Sequence, residues 1–535
     1  MSTQYFSAQV GGLRGPGLTE EQQDSVDQAV ADAADAVGKV SPIADVVKTD
    51  NPNGFSVTDP TGRALLLVDM LQRLILAGQA KLITDPLGGV SATDPQGRAM
   101  FAYDPLQRAL TVSGEIRTTK KLKTLMLAEI SFFPAYGQSW SMGFENLLTQ
   151  PKMQRFDNLM FVAGVRTQSF NTSDPDNAAR YASLAPLTER QDVGSPKYTT
   201  FLPNGLGQTM ATAQTDMVKE LLAYHNNLTP RDITHRLLSS TPGDGNMSIA
   251  DLSKGGAYNT YNRLIAQVGA GYDRAADLGM TYDFPMMSWT QGAFSEELED
   301  DYGAVLEQLR LDVQTDTAAV FTRRNPLKLV TWQRYSEPGI TPATLYEAYV
   351  QAAKDHEHII CAAPSYFLPR VADGATHISS DGTDWLAAYY GLSYYRVVIM
   401  GLPKPQPLDT VAFYRQGKHL LVEFNNDYAL EFDTDIVAAV ANMGFQRFTS
   451  LGIEVPISAV QIVGPNIVKI SCATNWAASD RLVYGGNGAV GDDVGPVTGN
   501  RGNLRDSQGD WIIYDRGFRN LPMHNWCVCF DKVVG

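Results

Sequence analysis

The spacing of apolar and polar positions changes character along the chain and divides it into stretches. In LTEEQQDSVDQAVADAADAVGKV, Val26, Val30, Ala33, Val37 and Val40 recur at 4-3-4-3 spacing. This is an a/d seam about two heptads long, shorter than the three or four that define a coiled coil. Either a short coiled coil or an amphipathic helix on another surface fits it. Thr19, with Gln22 three residues on, has capping-box form. Next come two related stretches, FSVTDPTGRALLLVDMLQR from Phe55 and VSATDPQGRAMFAYDPLQR from Val90. Each alternates in strand fashion around a Pro-Gly turn, because Pro pre-sets φ and Gly closes the turn. From about Lys121 to Tyr395, short apolar runs (LMLAEISFF, TYDFPMMSW, LKLVTWQ, EHIICAAP) alternate with helical patterns. That alternation predicts a mainly parallel sheet covered by helices. Beyond about Arg396 the helical period disappears, and short strands separated by Pro, Gly and Asn predict an all-β sandwich or jelly roll.

The expected organisation is therefore an N-terminal helical segment (1–48), a β-repeat stem (49–120), a central α/β domain (121–395) and a C-terminal β-rich domain (396–535). The two β repeats cannot bury much apolar surface alone. They predict an elongated, multimerising stem, with a self-contained small β domain as the alternative.

Composition narrows the function. The chain has 535 residues, a formal charge of −15 and 44% hydrophobic residues. An acidic chain without a basic stripe argues against nucleic acid and anionic lipid as main partners. No run approaches the ~20 apolar residues of a membrane span. The start, MSTQYFSAQVGG, lacks the basic-then-apolar form of a secretory signal. Four cysteines, Cys361, Cys472, Cys527 and Cys529, are too few and scattered for a disulfide framework, and WCVCF reads as a buried free pair on one strand face. Folding in a reducing cytoplasm is expected.

The candidate chemistry begins at AYGQSWSMG, Ala135–Gly143, where an apolar strand runs into Gly-Gln-Ser. A serine nucleophile needs an imidazole, an acid to orient it, and donors aimed at the oxyanion. Of seven histidines, His225, His235, His419 and His524 sit in unremarkable contexts. His356 and His358 form an H-x-H pair without a third ligand at metal-site spacing. His377, in VADGATHISSDGTDWL, precedes a polar turn and an apolar helix, with Asp373 four residues before it.

These stretches resemble the SGNH, or GDSL-like, hydrolases, in the sialate O-acetylesterase and carbohydrate-acetylesterase branch. YGQSWSMG is similar to the first block, STPGDGNMSIADLSKGG to the block that supplies a backbone amide, MSWTQGAFSEE to the W-x-QGE block, and DGATHISSDGTDWL to the last. The resemblance implies a three-layer α/β fold and a serine esterase without metal or cofactor. It implies Ser139 as nucleophile, His377 as base and Asp373 as the orienting acid. The oxyanion donors would be the Ser139 amide, an amide at Gly245 (or Gly255 or Gly256) and the Gln291 side chain. Two departures stand out: Asp373 and His377 have three residues between them rather than two, and Ala293 replaces the carboxylate after Gln291-Gly292. The acid could come from elsewhere, or the site could run as a dyad.

A stem before and a β module after such a domain resemble bacteriophage tail spikes and tail fibres. That likeness implies a homotrimer bound to other tail proteins through its N-terminus. It also implies a location in the virion and an O-acetylated bacterial surface polysaccharide (O-antigen or capsule) as substrate. A non-catalytic receptor-binding fibre that uses the same fold to hold glycan is the alternative. A cytoplasmic bacterial esterase with accessory β domains is a third reading.

Overall fold

The computed structural model describes residues 127–143, 155–166, 178–189, 207–225, 235–292, 302–334, 343–371, 377–488, 494–516 and 520–535, and eight strands between residues 45 and 112. The chain divides into two compact units, Met1–Met126 and Leu127–Gly535. Of the helical segment expected over residues 1–48, residues 1–44 lie outside the described residues, and the last four, Asp45–Lys48, form a strand instead.

In the first unit each sequence repeat forms the middle of a four-stranded antiparallel sheet. Strands β1 (Asp45–Lys48), β2 (Phe55–Thr58), β3 (Ala64–Val68) and β4 (Leu74–Leu76) pair in chain order. Strands β5 (Lys81–Thr84), β6 (Val90–Thr93), β7 (Ala99–Asp104) and β8 (Ala109–Val112) do the same. Both repeats shift register at one equivalent point, between Val57 and Thr58 and between Ala92 and Thr93. A shared irregularity at the start of the shared TDP sequence is the signature of a bulge set by sequence.

The second unit is built on parallel strands. β9 (Ile130–Phe132) and β10 (Ala135–Gly137) are one chain run interrupted by Pro134, which has no N–H to give the ladder. Pairing nevertheless continues across it, through Phe133 N–H to Leu238 O (2.8 Å) and Ala135 N–H to Ser240 O (2.8 Å). Pro285 likewise divides β14 (Tyr282–Asp283) from β15 (Met286–Thr290). With β11 (Leu159–Phe161), β12 (Leu184–Pro186) and β13 (Arg236–Leu238), one sheet has the order β12-β11-β13-β9-β14. With β16 (Lys328–Gln333) and β17 (Ile359–Pro364), the other has the order β10-β15-β16-β17. All pairings are parallel except β11 with β12. The first strand run thus lies inside, with later strands added on one side and then on the other. That reversal is where the loops beyond the carboxyl ends part and leave a crevice.

Helices cover both faces. They are α1 (Met210–His225), the short α2 (Ile249–Leu252), α3 (Thr260–Asp277), α4 (Tyr302–Thr317), α5 (Ala343–Asp355) and α6 (Ser380–Tyr394). Alternate side chains of β15 reach opposite layers, as the pleat requires. Ser288 Oγ donates to Gln214 of α1 (2.9 Å), and Thr290 Oγ1 meets the Tyr390 hydroxyl of α6 (3.1 Å). Between them, the Trp289 indole donates to Tyr302 of α4 (2.9 Å). A Cβ on Gly391 would lie 2.4 Å from Gln214 O, so α1 and α6 approach through a bare glycine.

After residue 400 the described strands are antiparallel. Thr410–Gln416, His419–Phe424, Ile467–Cys472 and Ile457–Gly464 form one four-stranded sheet, and Glu454–Val455, Phe445–Phe448, Arg481–Tyr484 and Phe530–Val533 form another. His419–Phe424 and Ile467–Cys472 bury every second residue, so one face of the first sheet is covered. All four cysteines are buried and unbridged. No described helix is long and apolar enough to cross a membrane.

Candidate active site

Ser139 stands two residues beyond β10. Gln138 extends the ladder once more, its N–H donating to Thr290 O (3.1 Å). The chain then turns, with Ser141 N–H donating to Gln138 O (2.9 Å) and Met142 N–H to Ser139 O (3.2 Å). Two glycines let the neighbouring backbones close on this turn. Gly137 has φ +147°, and a Cβ there would lie 2.2 Å from Thr290 O. A Cβ on Gly243 would lie 1.8 Å from Gly137 O. Any side chain at either place would push the strand ends apart.

Gly243 belongs to the loop after β13, and its tight seat carries Gly245 to the serine: a Cβ on Gly245 would have Ser139 Cβ as its neighbour, at 3.9 Å. Buried Arg263 of α3 fixes the loop, donating to Pro242 O (3.0 Å) and Gly243 O (3.4 Å). Gly255 has no atom within 4 Å of an added Cβ, and the Gly256 N–H donates to Ser253 O (3.0 Å). Of the three glycines, Gly245 is the one placed against Ser139.

His377 arrives from the other end of the unit. Its Nε2 lies 2.7 Å from Ser139 Oγ, across 238 residues of sequence. The segment is held by an antiparallel bridge between Arg370 and Ile378 and by Ser379 N–H donating to Pro369 O (2.8 Å). Ser379 then caps α6 by accepting from Gly382 N–H (3.2 Å). The cap thereby places His377 two residues before the N-cap of a helix. Buried Trp140 fills the space behind the pair, its ring 6.0 Å from that of His377 and edge-on to Trp332 at 5.3 Å. Asp373 lies outside the described residues.

Gln291 follows directly on β15 and is fully buried. Tyr302 O–H donates to its Oε1 (3.2 Å), which turns the amide nitrogen, the donor end, away from Tyr302. Its backbone carbonyl accepts from Tyr349 O–H (2.8 Å) and the Trp332 indole (3.2 Å). Ser139, Gly245 and Gln291 therefore follow the carboxyl ends of three adjacent strand runs, with His377 beside the first.

Two features escaped the sequence reading. Asp244 is buried between the two glycines, and its carboxyl is pushed above the ordinary value chiefly by desolvation, against the Gly245 N–H and the Arg263 charge. Its signal was an acid inside a glycine turn, P-G-D-G. Arg516, fully buried, pairs with Asp381 Oδ1 (2.5 Å) and Asp384 Oδ2 (2.5 Å) in the first turns of α6. No local pattern marked it. Among the described residues, no three His, Cys, Asp or Glu side chains are grouped to hold a metal ion.

No protein-family model matches the chain, and no curated protein matches it in sequence. Solved structures similar to it include a carbohydrate acetylesterase from Xanthomonas citri, at 12% identity and TM-score 0.46, covering 92% of this chain and 93% of that one. A protein from Arabidopsis thaliana covers 49% of this chain and 97% of its own, at 15% identity and TM-score 0.34. NanS covers 50% and 98%, at 14% identity and TM-score 0.31. At these scores the chemistry has to be argued from the site itself.

Proposed function

We propose that the chain is a serine esterase that removes O-acetyl groups from carbohydrate. The observation that carries this reading is the 2.7 Å contact of Ser139 Oγ with His377 Nε2 at the mouth of a parallel sheet. A neutral His377 takes the hydroxyl proton as Oγ attacks the ester carbonyl, then returns it to the departing sugar hydroxyl. The carbonyl oxygen becomes an oxyanion, for which the motif assigns the Ser139 amide, the Gly245 amide and Gln291 as donors. Water then hydrolyses the acetyl-serine with His377 as base. The orienting acid is assigned to Asp373 by the motif alone. The four motif blocks, with their SGNH-like order, support acetylated sugar as substrate.

The paired β repeats support a wider reading: a homotrimeric tail spike or fibre in the virion, attached through its N-terminus and acting on O-acetylated surface polysaccharide. Light scattering tests the trimer, and a monomer refutes it.

Acetate release from acetylated polysaccharide and from p-nitrophenyl acetate tests the chemistry. Ser139→Ala and His377→Ala are expected to lower kcat by about 10⁴-fold or more with the fold intact. Undiminished turnover by Ser139→Ala rejects the assignment. A glycan-binding fibre without turnover is the competing reading. One observation favours it: the Gly245 N–H already donates to Asp244 Oδ1 (2.8 Å). Glycan binding with no acetate release would decide for it.

A further inference from the structure

The Gly245 N–H points at a carboxylate rather than at open space, donating to Asp244 Oδ1 at 2.8 Å. Asp244 is only 3% exposed. Its other oxygen, Oδ2, is buried with no hydrogen-bond partner. A half-satisfied buried carboxylate costs stability, and a neutral residue of the same size would not carry that cost. Arg263, whose charge acts on it, donates to the carbonyls of Pro242 and Gly243. The acid is thus an expense to the fold, one residue from the backbone that lies against Ser139. Groups of this kind collect where function needs them.

We propose that Asp244 gates the oxyanion hole: its carboxylate holds the Gly245 N–H in the resting site, and the ester carbonyl oxygen must take that donor from it. The inference rests on the esterase reading above. While ionised, Asp244 opposes turnover in two ways. It competes for the donor, and it sets a negative charge beside the place where a second negative charge develops. Among the described residues, the charged group that acts on it is Arg263 from α3. Desolvation favours its neutral form and Arg263 its charged form. The sign follows: turnover is held down while Asp244 is ionised and released when its charge is removed. Asp244 is a positioning residue, acting through the Gly245 peptide.

The test uses the full chain with p-nitrophenyl acetate from pH 5 to 9, comparing wild type with Asp244→Asn and Asp244→Ser. Both variants are expected to raise kcat about three- to tenfold, with KM within about twofold. Phosphonylation of Ser139 by a p-nitrophenyl phosphonate should accelerate in parallel. Melting temperatures should stay level or rise. If wild type turns over and both folded variants are no faster, the gate is refuted and the esterase stands. If neither wild type nor the variants release acetate or react with the phosphonate, the esterase reading falls and the gate falls with it. A crystal structure of the phosphonyl adduct in which the Gly245 N–H still donates to Asp244 would also refute the gate.

Discussion

The two halves of the Ser139–His377 pair are held in unlike ways. Ser139 is fixed by backbone: a strand end, a ladder bond from Gln138 to Thr290, and two glycines seated against neighbouring carbonyls. His377 depends on side chains from far along the chain. Its helix, α6, is gripped by Arg516 through Asp381 and Asp384, by the Trp385 indole on Pro522 O (2.9 Å) and by Tyr389 O–H on His524 O. The ring of Phe367 stacks on Trp526 at 5.0 Å, and Gln333 bonds both ways with the backbone of Cys529 (2.8 Å each). The C-terminal β segment is therefore structurally part of the base's support. The lesson is that a nucleophile can be placed by local chain geometry, whereas its partner needs the finished tertiary structure.

The sharpest way to break that contrast is on the serine side. Gly243→Ala forces a Cβ to within 1.8 Å of Gly137 O, and neither atom belongs to a side chain that can turn aside. The strand end must move. A displacement of about 1 Å between reacting groups costs on the order of 100-fold in rate, and that is the loss expected in kcat. Near-wild-type kcat in a folded Gly243→Ala protein would mean that the close approach does not set the serine's position.

On the histidine side the expected effect is smaller, because several contacts share the task. Arg516→Lys keeps the charge but replaces a planar fork by a point donor that cannot serve two carboxylates in the same geometry. We expect kcat to fall about tenfold with KM nearly constant, since the loss falls on proton transfer rather than on binding. Circular dichroism and a melting curve accompany the assay. A variant that melts earlier yet keeps its kcat would make Arg516 a brace for the fold alone.

What could be read from the sequence follows the same division. Ser139, Gly245, Gln291 and His377 each sit at a strand-to-loop or loop-to-helix junction, and such junctions show in local pattern. The alternation of β and α stretches likewise announced a parallel sheet. The breaks at Pro134 and Pro285 were not anticipated, since one apolar run reads as one strand until a missing N–H interrupts it. The flanking strands β1 and β5, which complete each β repeat, share less sequence than the hairpins they join. Arg516 and Asp384 were illegible because burial of an ion pair depends on what folds over it, and no spacing along a single chain reports that.

A finer probe asks how far the serine side relies on side chains at all. Tyr302→Phe removes the donor that holds Gln291 Oε1 and leaves the backbone contacts of Gln291 in place. An amide without that bond is held less firmly with its nitrogen toward the oxyanion. A loss of about threefold in kcat is expected, well short of the ~100-fold or more for removing a donor outright. Gln291→Ala supplies that larger reference value, and equal losses in the two variants would show that Tyr302 alone orients the amide.

The smallest effect concerns stability rather than rate, and it tests whether the segment next to Arg516 is bound to α1 as firmly as to α6. Asp216 of α1 is buried, and desolvation pushes its carboxyl up to about 7 against the pull of Arg155; Glu220, paired with Arg155 at 2.6 Å, is pushed up to about 8 for the same first reason. Arg155 also donates to Asp515 O, and the buried Tyr514 hydroxyl shares this surrounding. An acid whose folded pKa exceeds its unfolded value of ~4 stabilises fully below that value, and the contribution is lost as pH rises through the folded pKa. Between pH 5 and 8 these two groups should therefore lower the melting temperature progressively. His235 and His524, each depressed to about 4 by burial, act in the opposite sense, costing stability as pH falls from ~6.5 toward 4. Asp216→Asn removes one of the first two contributions and keeps the hydrogen bond from Asn158 to Oδ1. Its melting temperature should vary less over pH 5 to 8 than that of wild type, by a few degrees. An unchanged slope would place the proton uptake elsewhere and leave the α1 side of the C-terminal segment without electrostatic coupling to folding.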